Sequence, residues 1–257
     1  MTEPQELDRI RRRWSHHHRR LGLPDPFGRT DVSPGGLGGR VDDLSTRIVI
    51  LPVDPMATLL EFDDEFWAWW GADRPAPFGT RLMWNTNVPT VDAAARVRTL
   101  GDRWHTFLAV HRHGGVEVGT ADTYGRDEEH RCFRLIRTVG LLWIAFDRQA
   151  EVHRQVNVGG PWEVTLAIHR TDGAHLGDLG AGWAEPFSGV WDLRPCREPN
   201  VLMREELEAW PEEPDDVKEL SFRFGGRIED AWGMRQRRFL DHRGELEGQF
   251  DAGRWEL

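Results

Sequence analysis

Arg47-Ile48-Val49-Ile50-Leu51-Pro52-Val53 is a continuous, β-branched apolar run closed by Pro52 and by Asp54-Pro55. A short run of this kind predicts a strand buried on both faces, and so the opening element of a folded core. The segments downstream set the class. Trp104 to Val110 alternates into His111-Arg112-His113-Gly114-Gly115 and back through Val116, Val118 and Ala121, which predicts a β-hairpin whose turn rests on the two glycines. From Asp127 to about Val156, residues Phe133, Ile136, Val139, Leu142, Trp143, Phe146 and Ala150 recur at spacings of three and four. This predicts a long amphipathic helix as the central packing element. Pro161 to His169 returns to alternation, and Val201 to Leu207 reads as a further strand. A last helix begins at Asp215 or Asp216, buries Val217, Leu220, Phe224, Ile228 and Ala231, and ends at Gly233. The expected fold class is α+β, a mixed or antiparallel sheet packed against a long central helix.

Upstream of the first strand the pattern changes. Residues 1–21 hold six arginines against three acids, with Leu7, Ile10, Trp14 and Leu21 at roughly helical spacing. They predict a short basic amphipathic helix. Residues 22–46, with Pro24, Pro26, Pro34 and the run Gly35-Gly36-Leu37-Gly38-Gly39, read as a linker. Residues 47–257 then form one α+β domain. The segment from Leu59 to Trp70 packs Leu60, Phe62, Phe66, Trp67, Trp69 and Trp70 together. It is read as a core wall, with a ligand-stacking wall as the alternative.

Composition removes several chemistries. Lys218 is the sole lysine among 33 basic residues, and it sits in an acidic helix start. No Walker-A loop, kinase β3 lysine, Schiff-base lysine or Ser-x-x-Lys pair is available. A net charge of −10 opposes general binding to nucleic acid or anionic membranes. Two separated cysteines, Cys132 and Cys196, form neither a disulfide framework nor a zinc motif. With no apolar signal core and no stretch approaching a membrane span, the expected location is cytoplasmic.

Three groups of residues are candidates for function. The loop after the Trp162 to His169 strand carries four glycines between 173 and 182 and closes at Trp183. Trp162 and Trp183 would be flat walls for a ligand, and His169, Asp172 and His175 its polar handles. His111 and His113, two apart on a strand, would share a face and could bind a metal with Asp122 or Glu117 as third ligand. Arg11, Arg12, Arg13, Arg19 and Arg20 would engage nucleic-acid phosphates electrostatically. His16-His17-His18 runs consecutively through a helix, where neighbours point about 100° apart and cannot chelate together.

Gly160-Pro161-Trp162-Glu163-Val164, Leu176-Gly177-Asp178-Leu179-Gly180-Ala181-Gly182-Trp183, and Arg227-Ile228-Glu229-Asp230-Ala231-Trp232-Gly233 with Arg237-Arg238-Phe239-Leu240 carry a resemblance. The chain, over about residues 100 to 250, resembles the C-terminal region of actinobacterial proteins with an AlbA-like, Schlafen-related DNA-binding or ATP-binding domain. That resemblance implies no catalytic residue, and the AlbA-like core has no counterpart here. The expectation is a non-enzymatic binding or regulatory module, of the kind associated with bacterial defence, recognising a protein partner or small ligand. Nucleic-acid binding through residues 1–21 and a His-based metalloenzyme are the alternatives. The sequence names no cofactor.

Overall fold

The structure is a computed structural model and describes residues 44–52, 60–72, 74, 76–77, 84, 86–89, 93–100, 103–126, 130–156, 160–178, 189–190 and 195–234. In chain order the elements are β1 (Thr46–Pro52), α1 (Asp64–Gly71), β2 (Thr86–Pro89), β3 (Ala93–Leu100), β4 (Arg103–His111), β5 (Val116–Thr120), β6 (Tyr124–Arg126) and β7 (Arg131–Arg134). Next come the long helix α2 (Leu135–Val156), β8 (Trp162–His169), β9 (His175–Asp178), β10 (Gly189–Val190), β11 (Asn200–Leu207) and α3 (Pro214–Ala231). The arginine-rich helix and the linker expected over residues 1–21 and 22–46 fall almost wholly outside the described residues.

The class is α+β, as the hydrophobic periodicities imply. A seven-stranded sheet runs β11-β8-β1-β5-β4-β3-β2, and every pairing in it is antiparallel. A second sheet runs β10-β9-β7-β6, in which β7 and β9 pair in parallel. Strand β1 is buried along its whole length, because it is central, with β5 on one side and β8 on the other. Alternate residues divide between the faces. Ile48, Ile50, Val116, Val118, Leu108, Val110, Trp162, Val164, Leu166 and Ile168 join the apolar residues of α2 and α3 in the main core. Ala93, Ala95, Val97, Trp104, Phe107 and Ala109 form a smaller cluster on the opposite face.

The long helix begins later than periodicity predicts. Arg131–Arg134 form strand β7, and the helix starts at Leu135. The strand end and the first helical turn are both apolar toward the same core, Phe133 and Ile136 each being buried, so a three-residue spacing continues across the junction without a helix beneath it. In α3, Glu213 stands at the N-cap without a side-chain bond and Pro214 opens the first turn. Asp215 and Asp216 lie in that turn, not at the cap; they favour the positive end of the helix dipole. Ala231, expected in the buried stripe, is exposed. The helix ends as expected at Gly233, whose φ is +69°. Gly233 N–H donates to Asp230 O (2.9 Å) and Met234 N–H to Glu229 O (3.0 Å), the paired bonds of a Schellman motif.

The β4–β5 hairpin also forms where the glycines place it. His111 N–H donates to Gly115 O (2.9 Å) and Gly114 N–H to His111 O (2.8 Å), with Gly114 at φ +80°. This left-handed position closes a three-residue connection at no steric cost only for glycine. Gly114→Ala is expected to lower stability by about 1–2 kcal/mol, read as a shifted denaturation midpoint at unchanged slope.

Candidate functional site

The loop after β8 does not gather the residues that its sequence offers. Trp162 and His169 are the two ends of β8, about 23 Å apart at strand rise. Trp162 is fully buried, with its ring edge-on to His153 (6.0 Å) and Trp210 (6.0 Å), and belongs to the core, not to a ligand wall. Trp183 lies outside the described residues. His169 shares a polar contact with Asn200 (Nδ1 to Oδ1, 3.3 Å), while its carbonyl accepts the Tyr124 hydroxyl at 2.5 Å. Burial holds its imidazole pKa below the ordinary value. Asp172 is exposed in a tight turn, in which Ala174 N–H donates to Thr171 O (2.9 Å) and Gly173 takes φ +72°. That makes Asp172 a turn residue. His175 stands on β9 and meets His130 edge to face at 4.6 Å.

The histidine pair of the hairpin is brought together. His113 sits in the turn and not on the strand, yet its ring stacks on that of His111 at 5.1 Å with 9° between planes. His111 Nε2 lies 3.3 Å from Glu117 Oε2, and the other carboxylate oxygen of Glu117 pairs with Arg47. Arg47, Glu117, His111 and His113 are all buried. Desolvation alone would raise the Glu117 pKa, but the Arg47 charge and the His111 hydrogen bond reverse it, to about 2. The carboxylate is thus committed to an internal ion pair. Asp122, the other proposed ligand, is elsewhere: its two oxygens are held by Arg134 (2.6 Å) and Arg137 (2.6 Å). Among the described residues no group of three or more His, Cys, Asp or Glu side chains is arranged to hold a metal.

Cys132 and Cys196 are both buried free thiols. Cys132 lies in β7, opposite His175 in the parallel register.

The segment read as an aromatic wall is the most developed surface feature. Asp63 caps α1 by accepting the Phe66 N–H at 2.8 Å. Phe66 and Trp70 turn inward and are buried, while Phe62, Trp67 and Trp69 remain half-buried. The rings form one cluster: Phe62 to Phe66 at 4.5 Å, Phe66 to Trp67 at 5.4 Å and edge-on, and Phe66 to Trp69 at 5.5 Å. Guanidinium groups cover several of them. Arg112 lies 4.4 Å over Phe62, Arg74 4.9 Å over Trp69, and Arg96 5.3 Å over Trp70.

Each cation is fixed from behind. Glu151 of α2 pairs with Arg74 (2.7 Å) and with Arg148, Arg96 donates to Trp70 O, and Arg112 donates to Leu60 O at 3.2 Å. Leu60 N–H in turn donates to Arg112 O (2.8 Å), and Gln149 of α2 donates to Gly114 O (2.9 Å). The α1 segment, the hairpin turn and the C-terminal half of α2 are therefore tied into one unit. Glu61, Asp64 and Glu65 of the same segment are exposed. Tryptophan and acid residues in this segment are plain in the sequence. Of the arginines that overlie them, Arg74 follows α1 directly, while Arg96 and Arg112 come from β3 and the β4–β5 turn, which no local pattern reveals.

No helix among the described residues is long and apolar enough to cross a membrane. Comparison with family models, with curated proteins and with solved structures finds no match.

Proposed function

We propose that this chain is a non-enzymatic recognition module that binds a basic protein partner through the α1 surface. The observation that carries this reading is the set of half-buried rings, Phe62, Trp67 and Trp69, packed on Phe66, with guanidinium groups over Phe62 and Trp69 and exposed carboxylates at Glu61, Asp64 and Glu65 of the same segment. Tryptophan and arginine dominate the binding energy of protein interfaces, and pre-ordered side chains lose little entropy on docking. Glu61, Asp64 and Glu65 complement lysine or arginine on a partner. The overall charge of −10 would speed encounter with such a partner. The groups offered for catalysis or metal binding, Glu117 and Asp122, are engaged in internal ion pairs, which favours a recognition role over a metalloenzyme.

An array of lysine- and arginine-rich peptides, followed by fluorescence anisotropy on the tightest binders, tests the proposal. Trp67→Ala/Trp69→Ala is expected to weaken binding by about tenfold or more, the scale of an interface hot spot. Asp64→Asn/Glu65→Gln leaves the rings in place and is expected to flatten the salt dependence. Affinity unchanged in both variants, each folded by circular dichroism, would overturn the reading. Preference for neutral small molecules over every basic peptide would reassign the surface to a small ligand.

A further inference from the structure

Polar atoms are left over in the core where β8, α2 and the approach to α3 meet. Trp162 begins β8, and Leu207, the last residue of β11, stands opposite it in the register. Three residues further on, Trp210 is buried at 2% exposure, and its ring meets that of Trp162 at 6.0 Å and 74°. On α2, Phe146 and His153 are seven residues apart and so share one face of the helix. Phe146 packs edge-on to Trp210 (5.8 Å), and His153 edge-on to Trp162 (6.0 Å).

Each ring of this group that carries a polar nitrogen has one to spare. Trp162 Nε1, Trp210 Nε1 and His153 Nδ1 are all buried, and none has a hydrogen-bond partner among the described residues. The His153 nitrogen is inaccessible although its side chain keeps 12% exposure. A buried donor or acceptor left unmade is costly, so three of them on contacting rings call for something that satisfies all three. The set has a definite chemistry. Both indoles only donate. His153 turns Nε2 toward Glu212 Oε1 at 3.7 Å, which favours the proton on that nitrogen and leaves Nδ1 an acceptor. The missing group must therefore accept twice and donate once, which one water molecule does.

An anion fits less well. It would accept from both indoles but would meet a lone pair at His153 Nδ1. His153 also lies in the last turn of α2, at the negative end of the helix dipole, with the Glu212 carboxylate beyond it.

We propose that Trp162, Trp210 and His153 hold one internal water molecule, which accepts from both indole N–H groups and donates to His153 Nδ1. The water links the start of β8, the last turn of α2 and the approach to α3 by hydrogen bonds that these side chains do not make to one another. The site shares no residue with the α1 surface, so the two proposals stand or fall separately.

Rotating-frame Overhauser spectroscopy of the full chain, with solvent water as the probe, tests this. Trp162→Phe and Trp210→Phe assign the two indole Hε1 resonances. In the wild type both are expected to exchange slowly with bulk solvent and yet to show a cross-peak to a long-lived water. Trp210→Phe is expected to weaken the Trp162 cross-peak as well as to remove its own, because the water then keeps two partners of three. Indole N–H groups satisfied by a neighbouring ring face predict shielded Hε1 resonances without a water cross-peak. Absence of a water cross-peak from every slowly exchanging indole of the wild type would overturn the proposal, whether or not the variants fold. Movement of both resonances when chloride is replaced by sulfate would overturn it in favour of a halide.

Discussion

Glu117→Ala is expected to destabilise the protein by about 3–5 kcal/mol, because it strands the buried guanidinium of Arg47 without its counter-charge. Both side chains are almost inaccessible, at 5% for Arg47 and 1% for Glu117. The carboxylate also holds the stacked His111 and His113 through its contact with His111 Nε2. The same pair makes stability depend on acid. Glu117 has a folded pKa of about 2 against an ordinary 4.5, so its contribution is complete above the unfolded value and disappears as pH falls from about 5 through about 2. That difference corresponds to roughly 3 kcal/mol at 1.36 kcal/mol per unit. Urea denaturation at pH 7, 4 and 3 reads it directly. Glu117→Gln, which keeps the shape and loses the charge, is expected to be less stable at pH 7 and to show a flatter acid limb. An acid limb as steep as wild type in that variant would assign the pH dependence to other carboxylates.

Trp162→Ala is the second large effect, about 3–5 kcal/mol from loss of a fully buried indole and the cavity it leaves. Its ring joins Trp210 and His153 between the sheet and α2, and it has no access to solvent. Trp162→Phe provides the contrast. The indole Nε1 is buried with no hydrogen-bond partner among the described residues, so phenylalanine removes an unsatisfied donor along with some volume. Its cost is expected to stay within about 1.5 kcal/mol. Thermal melts of the two variants beside wild type check both values. A small effect of Trp162→Ala on the melt would return Trp162 to the role of an accessible ligand wall.

These two residues show how far the sequence can be read. Strand β1, the β4–β5 hairpin, β8, β11 and α3 are visible because each carries one unbroken hydrophobic period and ends at a glycine, proline or polar cluster. Strand β7 is hidden, since Phe133 and Ile136 keep a helical spacing across a strand-to-helix junction. Strand β3 is hidden differently: Ala93, Ala94 and Ala95 are buried on alternating faces, and alanine signals neither face. The separation of Trp162 from His169 is a matter of strand length alone, so a ligand site that needs both is excluded by the strand it lies on. Asp122 illustrates the opposite case. Its partners, Arg134 and Arg137, lie at the end of β7 and in the first turn of α2, and the β6–β7 hairpin, with Arg134 N–H donating to Thr123 O at 2.8 Å, brings them back to it. The pairing of Glu117 with Arg47 is of the same kind, across neighbouring strands whose order no local pattern dictates.

The aromatic segment is legible as composition and ambiguous as role. The core-wall reading holds for Phe66 and Trp70, which are buried, while Phe62, Trp67 and Trp69 stay half-buried. Arginines from beyond the segment cap the rings without burying them fully, and this leaves an ordered surface in place of a closed wall.

Hydroxyl-radical footprinting of the full chain, with and without a saturating basic peptide, tests that surface most directly. Trp67 and Trp69 are expected to be oxidised less on binding, with the buried Trp162 and Trp210 unchanged in both states. Protection confined to other residues, with Trp67 and Trp69 oxidised equally in the free and bound protein, would contradict it.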